Sequence, residues 1–330
     1  MRFLQVHLSM KRGGAHSAVR YLKKGMEELG HHCDISSNDP DKLTSLDYDL
    51  VIFHSFSPEN SRVYSNFLEI CRGIRIPRVI AMHDYWPFCH QTNMVMVGRG
   101  LTHCTEERCD ERRCGWSGHR QPVIRGISNE NIICFTERSA KMFEEKGFSK
   151  THVIPHGVDM SLFSHQTREE GFPTILFTNA WGKKEIKGYR HWEWIKKNIP
   201  DGISCNEVMG EVKLADMPSI YSASRATLFL SLWEETFGLT VIESLACGTP
   251  VISYPVGVSP SVIVDGENGF LVNDSNPRTV VSLMEKMREM SPEKMKEMRD
   301  RCRSSVENRF STSTSASRYV DLALELRRET

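Results

Sequence analysis

The chain predicts an α/β protein built from two parallel-sheet domains, and three observations predict it. Short apolar runs that read as buried strands alternate with segments of helical periodicity, a pattern that closes parallel sheets through helical crossovers. The alternation stops after Phe163 in the polar, helix-poor stretch SHQTREEG and then begins again. At 330 residues the chain is long for one core and comfortable for two, since domains run to about 100–200 residues.

Residues 2–8 alternate apolar and polar side chains as a strand does, and Gly13 and Gly14 follow as a turn. Between residues 16 and 29, Ala18, Val19, Leu22, Met26 and Leu29 fall at helical spacing, and Gly30 stands where helices commonly stop. A short strand near 33–35, a buried run at 49–53, a helix near 60–72 and strands at 78–82, 132–135 and 152–154 complete the first half. In the second half, strands at 174–178, 203–209, 227–232 and 250–254 alternate with helices at 189–197, 217–223 and 239–247. Ser291-Pro292 offers a capping residue followed by proline at the first helical position, and a last helix covers 315–328. The expected domains are 1–163 and 164–312, with a helix at 313–330 crossing back to the first. Ligands of such domains bind beyond the carboxyl ends of the strands, so two domains set face to face would place both sets of strand ends on one cleft.

Composition removes several classes. Lys plus Arg is 42 and Asp plus Glu is 42, whereas a protein that grips nucleic acid through its phosphates carries a basic excess. No run approaches the roughly 18 apolar residues that span a bilayer, and the opening MRFLQVHLSMKRGG reads as a short strand rather than a signal peptide. The expected localisation is therefore cytoplasmic. Arg20, Lys23 and Lys24 could add to a basic patch for peripheral contact with the inner face of a membrane, although three cations on a helix are usually a solvated face. Of ten cysteines, Cys33, Cys71, Cys134, Cys205 and Cys247 lie in apolar runs and read as small core residues. Cys89, Cys104, Cys109 and Cys114 cluster in a polar stretch, which suits structural zinc. Their spacing is looser than paired C-x2-C ligands, so reduced thiols or a disulfide stand beside that reading.

The most informative segment is EETFGLTVIESLACGTPVI at 234–252, in which Glu235 and Glu243 stand eight residues apart. The buried strand TLFLSL ends just before Glu235, and a helix begins near Gly238. The unpaired N–H groups of that helix start, at Gly238, Leu239 and Thr240, can bind an anion such as a diphosphate. Glycine there lets a ligand approach the backbone closely. Glu243, one turn into the helix, can accept hydrogen bonds from vicinal ribose hydroxyls, and Glu235 can do the same for a sugar.

This segment resembles the E-x7-E motif of the family-4 retaining glycosyltransferases. The resemblance runs along nearly the whole chain: Gly13-Gly14 and Gly30-His31 at the opening, His83-Asp84 after a strand, VIPHGVDMSLF at 153–163, Lys187-Gly188, and DGENGFLV at 265–272. It implies a GT-B fold of two Rossmann-like domains and, as donor, a nucleoside diphosphate sugar, UDP- or GDP-linked. It implies that Gly13 and Gly14 belong to the donor-binding set, and that Lys187 and the amides from Phe237 to Thr240 hold the diphosphate. Glu243 would hold the ribose, Glu235 would orient the sugar, and His83 would lie near the transferred sugar or the acceptor. A glycan or lipid-linked saccharide is the implied acceptor. A lysine and aimed amides stabilise the leaving diphosphate, so no catalytic metal is required.

The pattern is broken in places. His16 replaces the glutamate of the opening motif, TNAW at 178–181 lacks the arginine that usually precedes the K-G pair, and GVSPSV at 257–262 places serine near a usual glutamate. Lys183 or Lys184 could stand in for the arginine, without its bidentate geometry. These departures support an alternative, an inactive or regulatory sugar-nucleotide-binding subunit. A zinc-dependent nucleic-acid binder built on the cysteines fits poorly with zero net charge. Trp181, Tyr189, Trp192 and Trp194 read as packing rather than as a sugar platform.

Overall fold

The computed structural model describes residues 1–7, 13–36, 48–54, 69, 71–73, 75–87, 89, 95–97, 101–103, 126–166, 174–179, 185–209 and 212–329. They form two compact units: residues 1–96, 103–157 and 312–330, and residues 97–102 and 158–311.

The first unit carries β1 (Arg2–His7), α1 (Gly14–Glu28), β2 (His32–Ser36), β3 (Leu50–His54), β4 (Arg78–Ala81), β5 (Val95–Val97), β6 (Leu101–His103), β7 (Ile132–Cys134), α2 (Glu137–Glu145) and β8 (Thr151–Val153). Residues 97–102, which include the end of β5 and the start of β6, are grouped with the second unit. Six strands form one parallel sheet in the order β2-β1-β3-β4-β7-β8, while β5 and β6 pair separately. β3, LVIFH, is buried along its whole length, as expected of a strand covered on both faces. The alternation read in β1 misleads, because the strand lies between β2 and β3 and its polar residues Gln5 and His7 are also buried. Gln5 is satisfied there by donating to Val19 O (3.1 Å) and Cys33 Sγ (3.3 Å). The helix read at 60–72 falls largely outside the described residues.

The second unit carries β9 (Thr174–Asn179), α3 (Tyr189–Lys197), β10 (Ser204–Met209), α4 (Met217–Ser222), β11 (Ala226–Phe229), α5 (Leu239–Ala246), β12 (Val251–Ser253), α6 (Ser259–Val262), β13 (Gly269–Leu271), α7 (Pro277–Arg288) and α8 (Pro292–Val306). Its five strands are parallel in the order β10-β9-β11-β12-β13. Phe177 stacks on Trp192 at 5.0 Å inside a core that also holds Leu228, Ile252, Phe270 and Met284. Trp192 is thus a packing residue; Trp181 lies outside the described residues. The unit begins at Val158 rather than after Phe163. Val158 N–H donates to Phe310 O (2.8 Å), and Arg303 of α8 donates to Met160 O and Phe163 O.

The last helix, α9 (Thr312–Glu329), packs on α1 in the first unit. Gly25 makes this possible, since a Cβ there would lie 2.2 Å from Thr312 O. Thr312 Oγ1 donates to Glu28 (2.6 Å) and Ser315 Oγ to Pro155 O (2.8 Å). Among the described residues no helix is long and apolar enough to cross a membrane.

Candidate active site

Both sheets share one topological feature. Chain order reverses between β1 and β3 in the first unit and between β9 and β11 in the second. In open parallel sheets, ligands bind beyond the strand ends at such a switch point.

In the second unit the segments after β9 and β11 are bound to each other. Gly188 has φ 79° and its Cα faces Leu230 so closely that a Cβ would sit 2.1 Å from Leu230 O. Leu232 N–H donates to Ile186 O (2.8 Å) and Gly188 N–H to Glu185 O (3.0 Å). The glycine is therefore required by the contact, and the contact delivers Lys187 to the loop that carries Glu235. Lys187 Nζ forms an ion pair with Glu235 Oε1 and sits 5.0 Å from the centroid of the Trp233 ring. Ser231 Oγ donates to the same carboxylate oxygen (2.6 Å). Glu235 is buried, so both contacts act with little competition from water.

The same loop is closed from the β12 side. Val258 N–H donates to Phe237 O (2.7 Å), and a Cβ on Gly257 (φ 58°) would come 2.2 Å from Phe237 O and 2.8 Å from Glu235 Cβ. Gly238, at φ 103°, caps α5 in the left-handed region. The N–H groups of Gly238, Leu239 and Thr240 find no acceptor among the described residues, so the helix start keeps three unpaired backbone donors. One turn on, Glu243 is buried and accepts a hydrogen bond from Tyr221 Oη at 3.1 Å. Burial, and then the Glu243 charge, push the Tyr221 hydroxyl well above its usual range, so it remains a donor.

In the first unit His83 lies among other histidines. Its Nε2 is 2.9 Å from His54 Nδ1, its ring stacks on His156 at 5.2 Å, and His7 approaches His54 at 6.2 Å. His16, which stands in place of the motif's glutamate, is 6.1 Å from His7. His7 is buried, and among the described residues neither of its ring nitrogens is hydrogen-bonded. Among the described residues no group of His, Cys, Asp or Glu has the geometry to hold a metal ion. Burial is the main cause that keeps these rings neutral: His7 falls to about 4, with His16 adding to the shift, and His83 to about 3, with His7 adding to it. Burial likewise holds His54 and His156 well below the usual histidine range.

A pH dependence follows. Between the folded-state values and the ordinary 6.5, the unfolded chain binds more protons than the folded one, so stability is full above that value and falls as pH drops through it. The slope is up to about 1.4 kcal/mol per pH unit for each histidine. Denaturant titrations at about pH 7.5 and about pH 5 should show the loss, with a shallower slope in His7→Gln. Equal midpoints at both pH values would contradict it.

Reasoning from sequence singled out His83 but not His7, His54 or His156, nor Tyr221 and Ser231. A signal for the histidines existed: His7 and His54 end β1 and β3, the two strands at the switch point. Gly13 and Gly14 are exposed at the start of α1. Lys183, Cys104, Cys109 and Cys114 lie outside the described residues, as does any zinc geometry they would form; Cys89 is buried. Ser261, near the motif's usual glutamate, donates to Val258 O at 2.8 Å.

Comparison with known proteins bears on the fold and on the segment 206–309. The family model described as glycosyl transferases group 1 matches residues 206–309. The D-inositol 3-phosphate glycosyltransferase of Thermobifida fusca (strain YX) is 30% identical over 109 residues, which is 32% of this chain and 25% of that protein. The chain thus spans only a quarter of the length of that relative. The sucrose-phosphate synthase from Thermosynechococcus elongatus superposes with a TM-score of 0.71 at 15% identity, over 100% of both chains. Anabaena Alr3699/HepE, solved in complex with UDP-glucose, gives 0.72 at 15% identity, over 98% of this chain and 100% of that one. Its two parallel sheets give the chain a GT-B fold like that of these structures, and residues 206–309 resemble the glycosyl transferases group 1 family.

Proposed function

We propose that the chain transfers a sugar from a UDP- or GDP-sugar to a glycan, lipid-linked or small-molecule acceptor, with retention at the anomeric carbon. The observation that carries this reading is the convergence of Lys187, Glu235 and the α5 start at the switch point of the second unit. The diphosphate lies against the N–H groups of Gly238, Leu239 and Thr240, and Glu243, oriented by Tyr221, takes the ribose hydroxyls. The Lys187 ammonium has three N–H donors, so it can keep Glu235 while it reaches a phosphate oxygen. Glu235 then faces the sugar. Similarity to a structure solved with UDP-glucose favours a uridine donor.

As the glycosidic C–O bond breaks, negative charge grows on the diphosphate, and a fixed cation and aimed amides stabilise that charge more than the ground state. The reading calls for no metal. The acceptor oxygen attacks from the face the diphosphate leaves, and its proton passes to the departing phosphate oxygen. His83, neutral and hydrogen-bonded to His54, offers an imidazole nitrogen to a sugar or acceptor hydroxyl.

A second reading, a subunit that binds sugar nucleotides without turnover, is favoured by Ser261, whose hydroxyl is tied to its own turn. Incubation with UDP- and GDP-sugars and a panel of glycan acceptors, followed by NMR of the anomeric proton, separates the two. A product with the donor's anomeric configuration is expected. An inverted product defeats the retaining reading, and donor binding without product across the panel favours the second.

A further inference from the structure

A cavity of about 300 Å³ opens in the first unit at the N-terminal ends of its strands. Arg78 opens β4, and Lys150 immediately precedes β8. The histidines stand at the other ends of these strands, where ligands of such sheets normally bind, so the cavity is separate from that site.

Its lining carries four cations, Arg72, Arg75, Arg78 and Lys150, against two carboxylates, Glu130 and Glu329. Four minus two leaves a charge of +2. Glu130, buried, organises the floor. It accepts from Arg72 Nε (3.2 Å) and Nη2 (2.7 Å) and from Arg78 Nη2 (3.1 Å), and its Oε2 lies 2.8 Å from Arg78 Nε. Arg72 Nη2 also donates to Gly126 O (3.0 Å). These contacts fix both guanidinium planes yet use only one edge of each. Among the described residues neither Nη1 meets an acceptor, and neither Arg75 nor Lys150 has a carboxylate within ion-pair distance. One carboxylate thus holds two arginines in place, while the second pair of cations stays unneutralised beside them.

We propose that this cavity binds an anion bearing a phosphate group. Fixed guanidinium forks match tetrahedral phosphate oxygens, and the volume is that of a small-molecule pocket. The phosphate could belong to a free metabolite or to a lipid headgroup, and the two sources are separable.

The test uses the full chain. Thermal shift and calorimetry with inorganic phosphate give the free-anion arm, and co-sedimentation with phosphatidylcholine vesicles containing phosphatidic acid gives the headgroup arm. The variant is Arg75→Asn with Lys150→Gln. Both positions are exposed, and asparagine tolerates the left-handed backbone of Arg75 (φ 54°) better than most residues. It removes both unneutralised charges while the Glu130 network stays. Lys187→Ala, in the other unit, controls for phosphate bound at the candidate active site. Binding in either arm that survives Lys187→Ala and weakens at least tenfold in the double variant is the expected result, and the arm that binds names the source. No binding in either arm, or binding equal in wild type and double variant, would overturn the proposal.

Discussion

Replacing Lys187 by alanine should lower sugar transfer by about 100- to 1000-fold, the usual cost of removing one group that meets charge developing in a transition state. The same change should destabilise the fold by about 3 kcal/mol, because it strands a buried carboxylate that had an ion-pair partner. Glu235 would then keep the Ser231 hydroxyl, at 2.6 Å. The two effects come apart in the double variant Lys187→Ala with Glu235→Gln. Removing both charges should return most of the stability, since a neutral amide is far cheaper to bury than a lone carboxylate, but should not return transfer. Lys187→Arg should keep the pair and much of the stability with partial activity, its planar fork being a poor copy of an ammonium. Denaturant midpoints and initial rates on the four proteins check this. Transfer restored along with stability in the double variant would make Lys187 a structural residue only.

The fold was largely legible in the sequence where one physical signal dominated. The helix at Tyr189–Lys197 declares itself through apolar spacing between Gly188 and Asn198, and β3 through an unbroken apolar run. β1 was located correctly but its faces were misjudged, because Gln5 and His7 look solvent-facing until β2 and β3 flank the strand. β13 was not seen at all: it has three residues and begins with Gly269, where a Cβ would lie only 2.2 Å from Val251 O. No period can be read from three residues, and a glycine that a neighbouring strand requires looks like a turn.

The candidate site shows the same division. Lys187 and Glu235, 48 residues apart, are brought together, and the E-x7-E segment marks one of them clearly. What the sequence could not display is the support around them. Ser231 and Tyr221 are ordinary residues of a strand exit and a short helix, and only the folded chain puts their hydroxyls on Glu235 and Glu243. The histidines illustrate a signal present but unread. Four of them come together through the parallel order of strands and the loop after β8, which no local window contains.

The proposed function requires the second unit to hold a nucleoside diphosphate across the α5 start and Glu243. The most direct measurement is thermal stability with UDP, GDP and their sugars, on wild type, Tyr221→Phe and Glu243→Ala. A ligand that binds only the folded chain stabilises it by about 2.7 kcal/mol at 100 times its dissociation constant. Loss of the Glu243 hydrogen bonds, at about 1.5–3 kcal/mol for a charged acceptor, should weaken binding by about 10- to 150-fold. Tyr221→Phe, which removes only the hydroxyl that orients Glu243, should weaken it by about 2- to 10-fold. One nucleotide series should stabilise wild type, less so Tyr221→Phe and least Glu243→Ala. No shift in wild type at millimolar nucleotide, or an equal shift in all three proteins, would contradict it.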